Sequence, residues 1–399
     1  MLVDPASVPT AVPDPVTPAL GDLLVSAWES GALQAALDVS PGAATPPVGP
    51  VRAELAGVGE SFAAWRLAPL PSMPSAPTAM TRPTAPTGKT APTGPASFIL
   101  RVPHVPVSAL PRSLAQEIAA LAHAPTGVGP APVGAHDDAS TSPLGLPVVL
   151  TADVPGAAAR PSSWTSAHLR SHAHHLARLH SVPAPGRGPV MPGPEPWAAV
   201  PAGPQSLLTE VEAEAEGWRA AVIGAPDVSG LEPLIDAALA RVARIEPQIA
   251  QLDGFVLSHG DLCATNILWD GVDVAGRPAV QYIDFEWAQG DDPARDLAII
   301  GGAVHGGPWY VPLTEEQVAG FVGAYVDARA ALAREAGSGE LPDSVADVGA
   351  LRERMRAWTA YDRMAMLAHV ASRAAESEMH RRVLPQLRGT LAAELGLPD

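Results

Sequence analysis

The run LSHGDLCATNILWDGVDVAGRPAVQYIDFEWAQGDDPARDLA, residues 257–298, concentrates the residue types that could do chemistry. His259-Gly260-Asp261 is followed by Asn266, five positions after Asp261, and a second carboxylate, Asp284, closes the stretch Val280–Ile283. An Asp and an Asn on one tight loop, with another Asp beside them across a hairpin, suit phosphoryl transfer. That reaction needs a carboxylate to accept or orient an attacking hydroxyl, and oxygen ligands to hold Mg²⁺ against a triphosphate. Charge neutralisation and positioning do most of the work. Mg²⁺ keeps several waters and takes only one or two protein carboxylates, so this sparse set suffices.

The elements that must position these residues follow from hydrophobic periodicity. Phe255–His259 and Ile267–Asp270 read as short strands around the polar loop, with Ala279–Ile283 pairing with Ile267–Asp270. Upstream, Ser166–His180 carries Leu169, Ala173, Leu176 and Leu179 at helical spacing, and Leu207–Val222 and Leu231–Arg244 follow as helices. Downstream, Thr314 with Gln317 three positions on forms a capping-box pattern. It opens a helix with Val318, Phe321, Val322, Tyr325 and Leu332 on its buried stripe, ended by Gly337, and 345–395 is mostly helical.

Strand signals dominate before residue 150. Arg52–Leu55 and Phe62–Leu67 are joined by Gly57-Val58-Gly59-Glu60-Ser61, and Ser97–Val102 and Leu146–Thr151 are further strands. A helix over Ser113–Ala122, capped by Ser113, lies among them, and one helix over about Pro18–Leu37 precedes them. Residues 71–96 are almost wholly Pro, Thr, Ala, Ser, Gly and Met. Such a composition cannot bury enough surface to offset chain entropy, which predicts a disordered insertion. The expected organisation is a 1–50 extension with one helix, a β-rich lobe over 51–150 interrupted by that insertion, and a mainly helical lobe over 151–399. The fold class is α+β.

At 399 residues the chain can hold two domains with separate cores. A single cysteine, Cys263, excludes an internal disulfide and a Cys-based zinc site. The N-terminus has neither the basic nor the apolar region of a secretory signal, and no run approaches the ~18 apolar residues of a membrane span. A cytoplasmic protein is expected. The net charge of −17, from 25 basic against 42 acidic residues, argues against a nucleic-acid partner; a solubilising surface is its first reading, and attraction of a cationic small-molecule substrate the second.

The H-x-D-x₄-N pattern followed by an Asp at a strand end resembles the catalytic and metal-binding loops of protein kinases. The local wording, HGDL, N-I-L, IDFEWA and DDPARDLA, is more similar to the aminoglycoside phosphotransferase and choline kinase superfamily. That resemblance implies a bilobal protein-kinase-like fold, ATP and Mg²⁺ as cofactors, Asp261 as catalytic base, and Asn266 and Asp284 as metal ligands. His259 and Asp296 would fix the loop. LARLHSVP at 176–183 resembles the family's helix ahead of that loop, and PVVLTADVPG at 147–156 resembles the hinge where adenine meets backbone groups near Thr151–Asp153. SFILRVP at 97–103 resembles the strand bearing a phosphate-contacting Lys, with Glu117 where its helix-borne partner should be. The position expected for Lys holds Arg101, whose planar fork can still bind phosphate and Glu117. Gly57, Gly59 and Ser61 stand where a phosphate-covering loop would lie, and an ordinary hairpin is the competing reading.

Other groups have competing roles. Five of the 12 histidines, His168, His172, His174, His175 and His180, fall in one helix. No third ligand completes a metal site with His168 and His172, and His180 is expected to pack near the catalytic loop. Cys263 reads as a small loop residue. Glu210, Glu212, Glu214 and Glu216 alternate as on a solvated helix or one lining a cationic cleft. Glu286, Asp291 and Asp292, just beyond the metal Asp, are candidates for substrate contact. Trp287, Trp309 and Tyr310 could wall an ammonium group, against a role in core packing. The resemblance points first to an aminoglycoside-type acceptor, then to choline, ethanolamine or a sugar. A macrolide fits less well, because macrolide kinases tend to carry His where this chain has Asn266. A non-catalytic nucleotide-binding pseudokinase is the rival class.

Overall fold

The computed structural model describes residues 14–39, 46, 49–70, 97–222, 231–273, 275–337 and 339–397. The expected Pro/Thr insertion, residues 71–96, lies outside the described residues, as do residues 1–13. The chain divides into two compact units, Met1–Ile118 with Ala131–Asp153, and Ala119–Pro130 with Val154–Asp399.

In the first unit the single helix expected over Pro18–Leu37 is two, α1 (Pro18–Glu29) and α2 (Ala32–Ala36). Pro18 suits a first turn, where its missing N–H would have no partner. Gly31, at φ +77°, breaks the helix, because a left-handed residue ends one helix and glycine adopts it without a Cβ penalty. Six strands follow: β1 (Asp38–Val39), β2 (Val51–Val58), β3 (Phe62–Pro69), β4 (Phe98–Pro103), β5 (Pro132–His136) and β6 (Val148–Ala152). Their order in the sheet is β1-β5-β6-β4-β3-β2, and every pairing is antiparallel. Helix α3 (Leu114–His123) follows β4 in sequence.

The pleat separates the sheet's two faces. Trp65 pairs with Leu100 and Leu67 with Phe98, placing these side chains on one face. There they form the unit's core with Leu20, Leu24 and Trp28 of α1 and Leu33 of α2, and the Trp28 and Phe98 rings lie 5.3 Å apart. The segment expected as an N-terminal extension is therefore part of this core. Its apolar stripe needs the sheet to cover it, which the sequence reading did not foresee. The opposite face carries Phe62, Ala64 and Arg66 on β3 beside Ile99 and Arg101 on β4.

The second unit is mainly helical, with α4 (Ser166–Leu179), α5 (Leu207–Val222), α6 (Glu232–Ile249), α7 (Pro293–Ile299), α8 (Glu315–Glu335), α9 (Asp343–Ala346), α10 (Val348–Arg373) and α11 (Glu378–Leu395). Helix α10 packs against α5, α6, α7 and α11, and α4 lies along α8. Both halves of the expected capping box open α8: Gln317 N–H donates to the Thr314 hydroxyl, and Thr314 N–H to the Gln317 side chain. Short strands fill the remainder: β7 (Ala157–Ala158), β8 (Pro183–Ala184), β9 (Gly188–Pro189), β10 (Phe255–Ser258), β11 (Ile267–Val272), β12 (Pro278–Tyr282) and β13 (Gln289–Asp291). The β11–β12 hairpin and the β10–β13 pair are antiparallel and place the 259–266 loop. No described helix is long and apolar enough to cross a membrane.

Candidate active site

The loop leaves β10 and enters β11 through a single 3₁₀ turn, Ala264–Asn266. Register fixes what lies beside it. Ile267 pairs with Tyr282, and Ile283 N–H donates to the Asn266 carbonyl at 3.0 Å, so Asp284 emerges next to Asn266. Asp284 has φ +68° and is the one described non-glycine residue in the left-handed region, a conformation that costs energy and clusters at functional sites.

Beneath the loop lies Asp296, fully buried on α7. One of its oxygens accepts from His259 N–H at 2.7 Å and from His180 Nε2 at 3.0 Å; the other accepts from Gly260 N–H at 2.8 Å. Burial alone would raise the Asp296 carboxyl, but its hydrogen bond and charge contact with His180, with His259 adding to them, hold it well below the usual carboxylate range. The tautomers follow from these partners. His180 gives its Nε2 proton to Asp296, so its Nδ1 accepts from the Tyr325 hydroxyl at 2.8 Å. His259 Nδ1 accepts from Asp261 N–H at 3.3 Å, so Nε2 donates to the Ile283 carbonyl at 3.0 Å. Burial lowers the pKa of both rings, and the Asp296 carboxylate opposes that shift in each. Gly260 has φ +80°, and a Cβ there would stand 2.5 Å from the Trp287 carbonyl oxygen. Only glycine fits this turn.

Asn266 Nδ2 donates to the Asp261 carboxylate at 2.8 Å and to its carbonyl at 2.9 Å. Burial first, then the charges of Asp284 and Asp362, push the Asp261 carboxyl up to about 8, with the Asn266 hydrogen bond offsetting part of the rise. With its amide nitrogen committed to Asp261, Asn266 turns its amide oxygen the other way. That oxygen and the Asp284 carboxylate are hard donors of the kind Mg²⁺ takes, so the residue types present fit the metal.

In the first unit, Arg101 forms an ion pair with Glu117 of α3, the two side chains being 13% and 3% exposed. The Arg101 guanidinium lies over the Phe62 ring, 4.4 Å from its centroid. Of the glycine-loop residues, Gly57 lies at a bulge within β2, while Gly59 and Ser61 belong to the turn into β3. Gly59 N–H donates to the Phe62 carbonyl at 2.8 Å, closing the hairpin. Thr151 is nearly buried in β6, opposite Ile99 and Pro132. The Asp153 carboxylate accepts from Arg66 Nε and Ser97 Oγ, each at 2.7 Å, and its N–H donates to the Ser97 carbonyl.

Several expectations need correction. Asp291 and Asp292, expected to meet substrate, are fully buried. Asp291 pairs with Arg187 and Arg295, each at 2.8 Å. Asp292 caps α7 through Ala294 N–H and accepts from Arg354 and the Trp358 indole. Both carboxylates therefore have structural partners, and their charges are used inside the unit. Glu286 is half-buried. Of the aromatic trio, Tyr310 is buried with the Arg363 guanidinium 3.5 Å over its ring, so its face already holds the chain's own cation. The acidic helix is divided. Glu210 bonds Arg187, Glu210 and Glu214 both accept from the Tyr361 hydroxyl, and Glu212 and Glu216 are exposed.

The histidine-rich helix has no clustered ligands. His168 completes a capping box with Thr165, His172 meets the Tyr282 hydroxyl, and His175 meets the Val128 carbonyl. Cys263 is buried beside Thr265, and burial pushes its thiol well up. Sequence reading missed Asp362, whose charge is felt by both Asp261 and Tyr310. Its available signal was the run Tyr361-Asp362-Arg363, polar residues within a helix whose neighbours Trp358, Met364 and Leu367 are core.

Solved structures with the same fold include an ethanolamine kinase from Plasmodium vivax. It is 10% identical, with 85% of this chain and 82% of that chain covered and a TM-score of 0.51. A choline kinase from Cryptosporidium parvum is 11% identical, with coverage of 87% and 88% and a TM-score of 0.51. The GDP complex of wild-type aminoglycoside 2′-phosphotransferase-IIIa is 17% identical, with coverage of 86% and 92% and a TM-score of 0.50. These likenesses establish the protein-kinase-like α+β fold. No curated protein matches the sequence. The sequence profile of the phosphotransferase enzyme family matches residues 89–337, a span that takes in β4, α3 and the whole 257–298 run. That span is more than half of the chain, and on it the protein belongs to the phosphotransferase enzyme family.

Proposed function

We propose that this phosphotransferase is an ATP- and Mg²⁺-dependent kinase that phosphorylates a hydroxyl of a small molecule, acting in the cytoplasm. The observation that carries the reading is the Asp261 carboxylate, raised in pKa and oriented by Asn266 beside the left-handed Asp284. In this reading Asp261 accepts the proton of the acceptor hydroxyl as its oxygen forms a bond to the γ-phosphorus and the bond to the ADP oxygen breaks. Asn266 holds the carboxylate in line, and Asp296, through two backbone N–H groups, holds the loop. Asn266 and Asp284 would ligate Mg²⁺, which supplies neutralisation of the triphosphate charge. Arg101, held by Glu117, would contact phosphate.

The acceptor is proposed as aminoglycoside-type, with choline, ethanolamine or a sugar as the alternative. The net charge of −17 favours a cationic acceptor, an aminoglycoside, choline or ethanolamine, over a neutral sugar. The GDP complex named for one structural relative makes GTP a second donor to test. Arg101 in place of the expected Lys keeps a nucleotide-binding pseudokinase as the second reading.

The test is release of nucleoside diphosphate from ATP and GTP, with and without Mg²⁺, over a panel of aminoglycosides, choline, ethanolamine and sugars. Stimulation by one acceptor class is expected, with Asp261→Asn lowering turnover at least about a hundredfold while nucleotide still binds. Undiminished turnover in that variant would sink the assignment of Asp261. Nucleotide binding with no turnover for any acceptor would favour the pseudokinase.

A further inference from the structure

The proposed reading leaves one question about the first unit: how an arginine does the work of a lysine. The two are not interchangeable. Lysine places a compact charge at the end of a flexible stem, whereas the guanidinium is a planar fork whose usefulness depends on the orientation of its plane. A single carboxylate can fix one edge of that fork but leaves the plane free to swing about the contact. Something must hold the face.

Phe62 is placed to do so. It pairs with Pro103, and Arg101 pairs with Ala64, so the two side chains are diagonal neighbours on the same sheet face, within reach of one another. Phe62 is 5% exposed and the guanidinium centre is 4.4 Å from its ring centroid, at cation–π distance. Glu117 meets the guanidinium from α3. The three groups constrain different degrees of freedom: Glu117 an edge, Phe62 the plane, and β4 the stem. Phe62 also begins β3 directly after the Gly59-Glu60-Ser61 turn, and its carbonyl accepts from Gly59 N–H. The ring that holds Arg101 is therefore tied to the turn expected to cover phosphates.

We propose that Phe62 is a positioning residue that orients the Arg101 guanidinium toward the nucleotide phosphates, allowing arginine to stand where the family resemblance leads one to expect lysine. This rests on the kinase reading above. Phe62 acts through Arg101 and touches no reacting atom.

The experiment is calorimetric titration of MgATP into the wild type, Phe62→Leu, Phe62→Tyr, Arg101→Met and the Phe62→Leu/Arg101→Met double variant, with steady-state ATP kinetics wherever turnover is found. Phe62→Leu should weaken MgATP binding about fivefold, the order of one partly desolvated cation–π contact, and raise KM rather than lower kcat. Phe62→Tyr, which keeps the ring face, should bind as the wild type does. In the Arg101→Met background Phe62→Leu should cost nothing further, because there is no guanidinium left to orient. An unchanged affinity in Phe62→Leu, or an equal loss in both backgrounds, would overturn the proposal while leaving the kinase reading intact. Absence of MgATP binding by the wild type would overturn both.

Discussion

Arg101 and Asp296 are both charged side chains fixed by their neighbours, and they are built in opposite ways. Asp296 is sealed: no part of it meets solvent, three donors from His180, His259 and Gly260 satisfy it, and a tyrosine hydroxyl backs one of the imidazoles. The Arg101 side chain keeps 13% of its surface exposed on a sheet face, where it pairs with Glu117 and lies over the Phe62 ring. The difference matches the two tasks proposed above. A loop that must keep a nucleophile-orienting carboxylate in place gains from rigidity, and a fully satisfied buried network supplies it. A cation meant to meet a phosphate must keep donors within reach of a ligand, which excludes burying all of them.

The contrast gives an order of sensitivities. Asp296→Ala should be the most damaging change, because it removes the acceptor of two buried backbone N–H groups and leaves the Nε2–H of His180 without its partner. Urea unfolding should show a loss of about 3–5 kcal/mol, the range for breaking a buried pair, together with loss of turnover. A cost below about 1 kcal/mol would mean that the sealed frame is no stronger than the open one.

Acid should attack the sealed region next. His172 is held down to about 3 by burial and then by the charge of His175, and His175 to about 4, chiefly by burial. Their folded pKa values lie below the ordinary 6.5. The unfolded chain therefore takes up protons that the folded one refuses, and stability is complete above about pH 6.5 and falls as the pH drops. Each ring should contribute a slope of about 1.4 kcal/mol per pH unit until its folded pKa is reached. Asp296, with a folded pKa below its unfolded value, adds its own loss only below about pH 4. Asp261, raised to about 8 against about 4 unfolded, works in the opposite sense and offsets about one ring's slope, so urea midpoints at pH 6.5, 5.5 and 4.5 should still fall, and a profile flat or rising over that range would contradict it. The smallest effect on folding is expected for Arg101→Lys, under about 1 kcal/mol, with a change in nucleotide KM as its only large readout. A large stability loss there would erase the distinction between the two regions.

The same contrast explains what could be read from the sequence. Asp261, Asn266, Asp284 and Asp296 lie within one run of the chain, joined by a hairpin whose strands alternate legibly, and the structure brings Asn266 and Asp284 side by side as the pairing of Ile267 with Ile283's neighbour Tyr282 requires. Of the polar groups that meet only through tertiary packing, Arg101 with Glu117 was legible through the family resemblance, and others were not. Asp291 and Asp292 resembled substrate contacts because nothing near them in sequence announces Arg187 or Arg354 as partners. Asp362 reaches the site from α10, a hundred residues on. Strand β5, PVGAH, lacks the β-branched alternation that would have flagged it, and exists because β6 and β1 lie on either side of it. Phe62 read as the first residue of a strand. Its place over Arg101 depends on a register that only the folded sheet defines.

The sheet order also bears on how the protein is made. Helices α1 and α2 leave the ribosome before the sheet they pack on, yet the surface that buries Leu24 and Trp28 includes β6, the last of its strands to be synthesised, and β1 must wait for β5 nearly a hundred residues later. The first unit thus cannot close its core until about residue 152 has emerged, and two apolar helices wait exposed while the Pro/Thr-rich stretch passes. Loop closure over such distances is slow, and exposed apolar surface invites aggregation in the interval. A change in translation speed between residues 37 and 148 should therefore affect soluble yield without altering a single contact in the finished molecule.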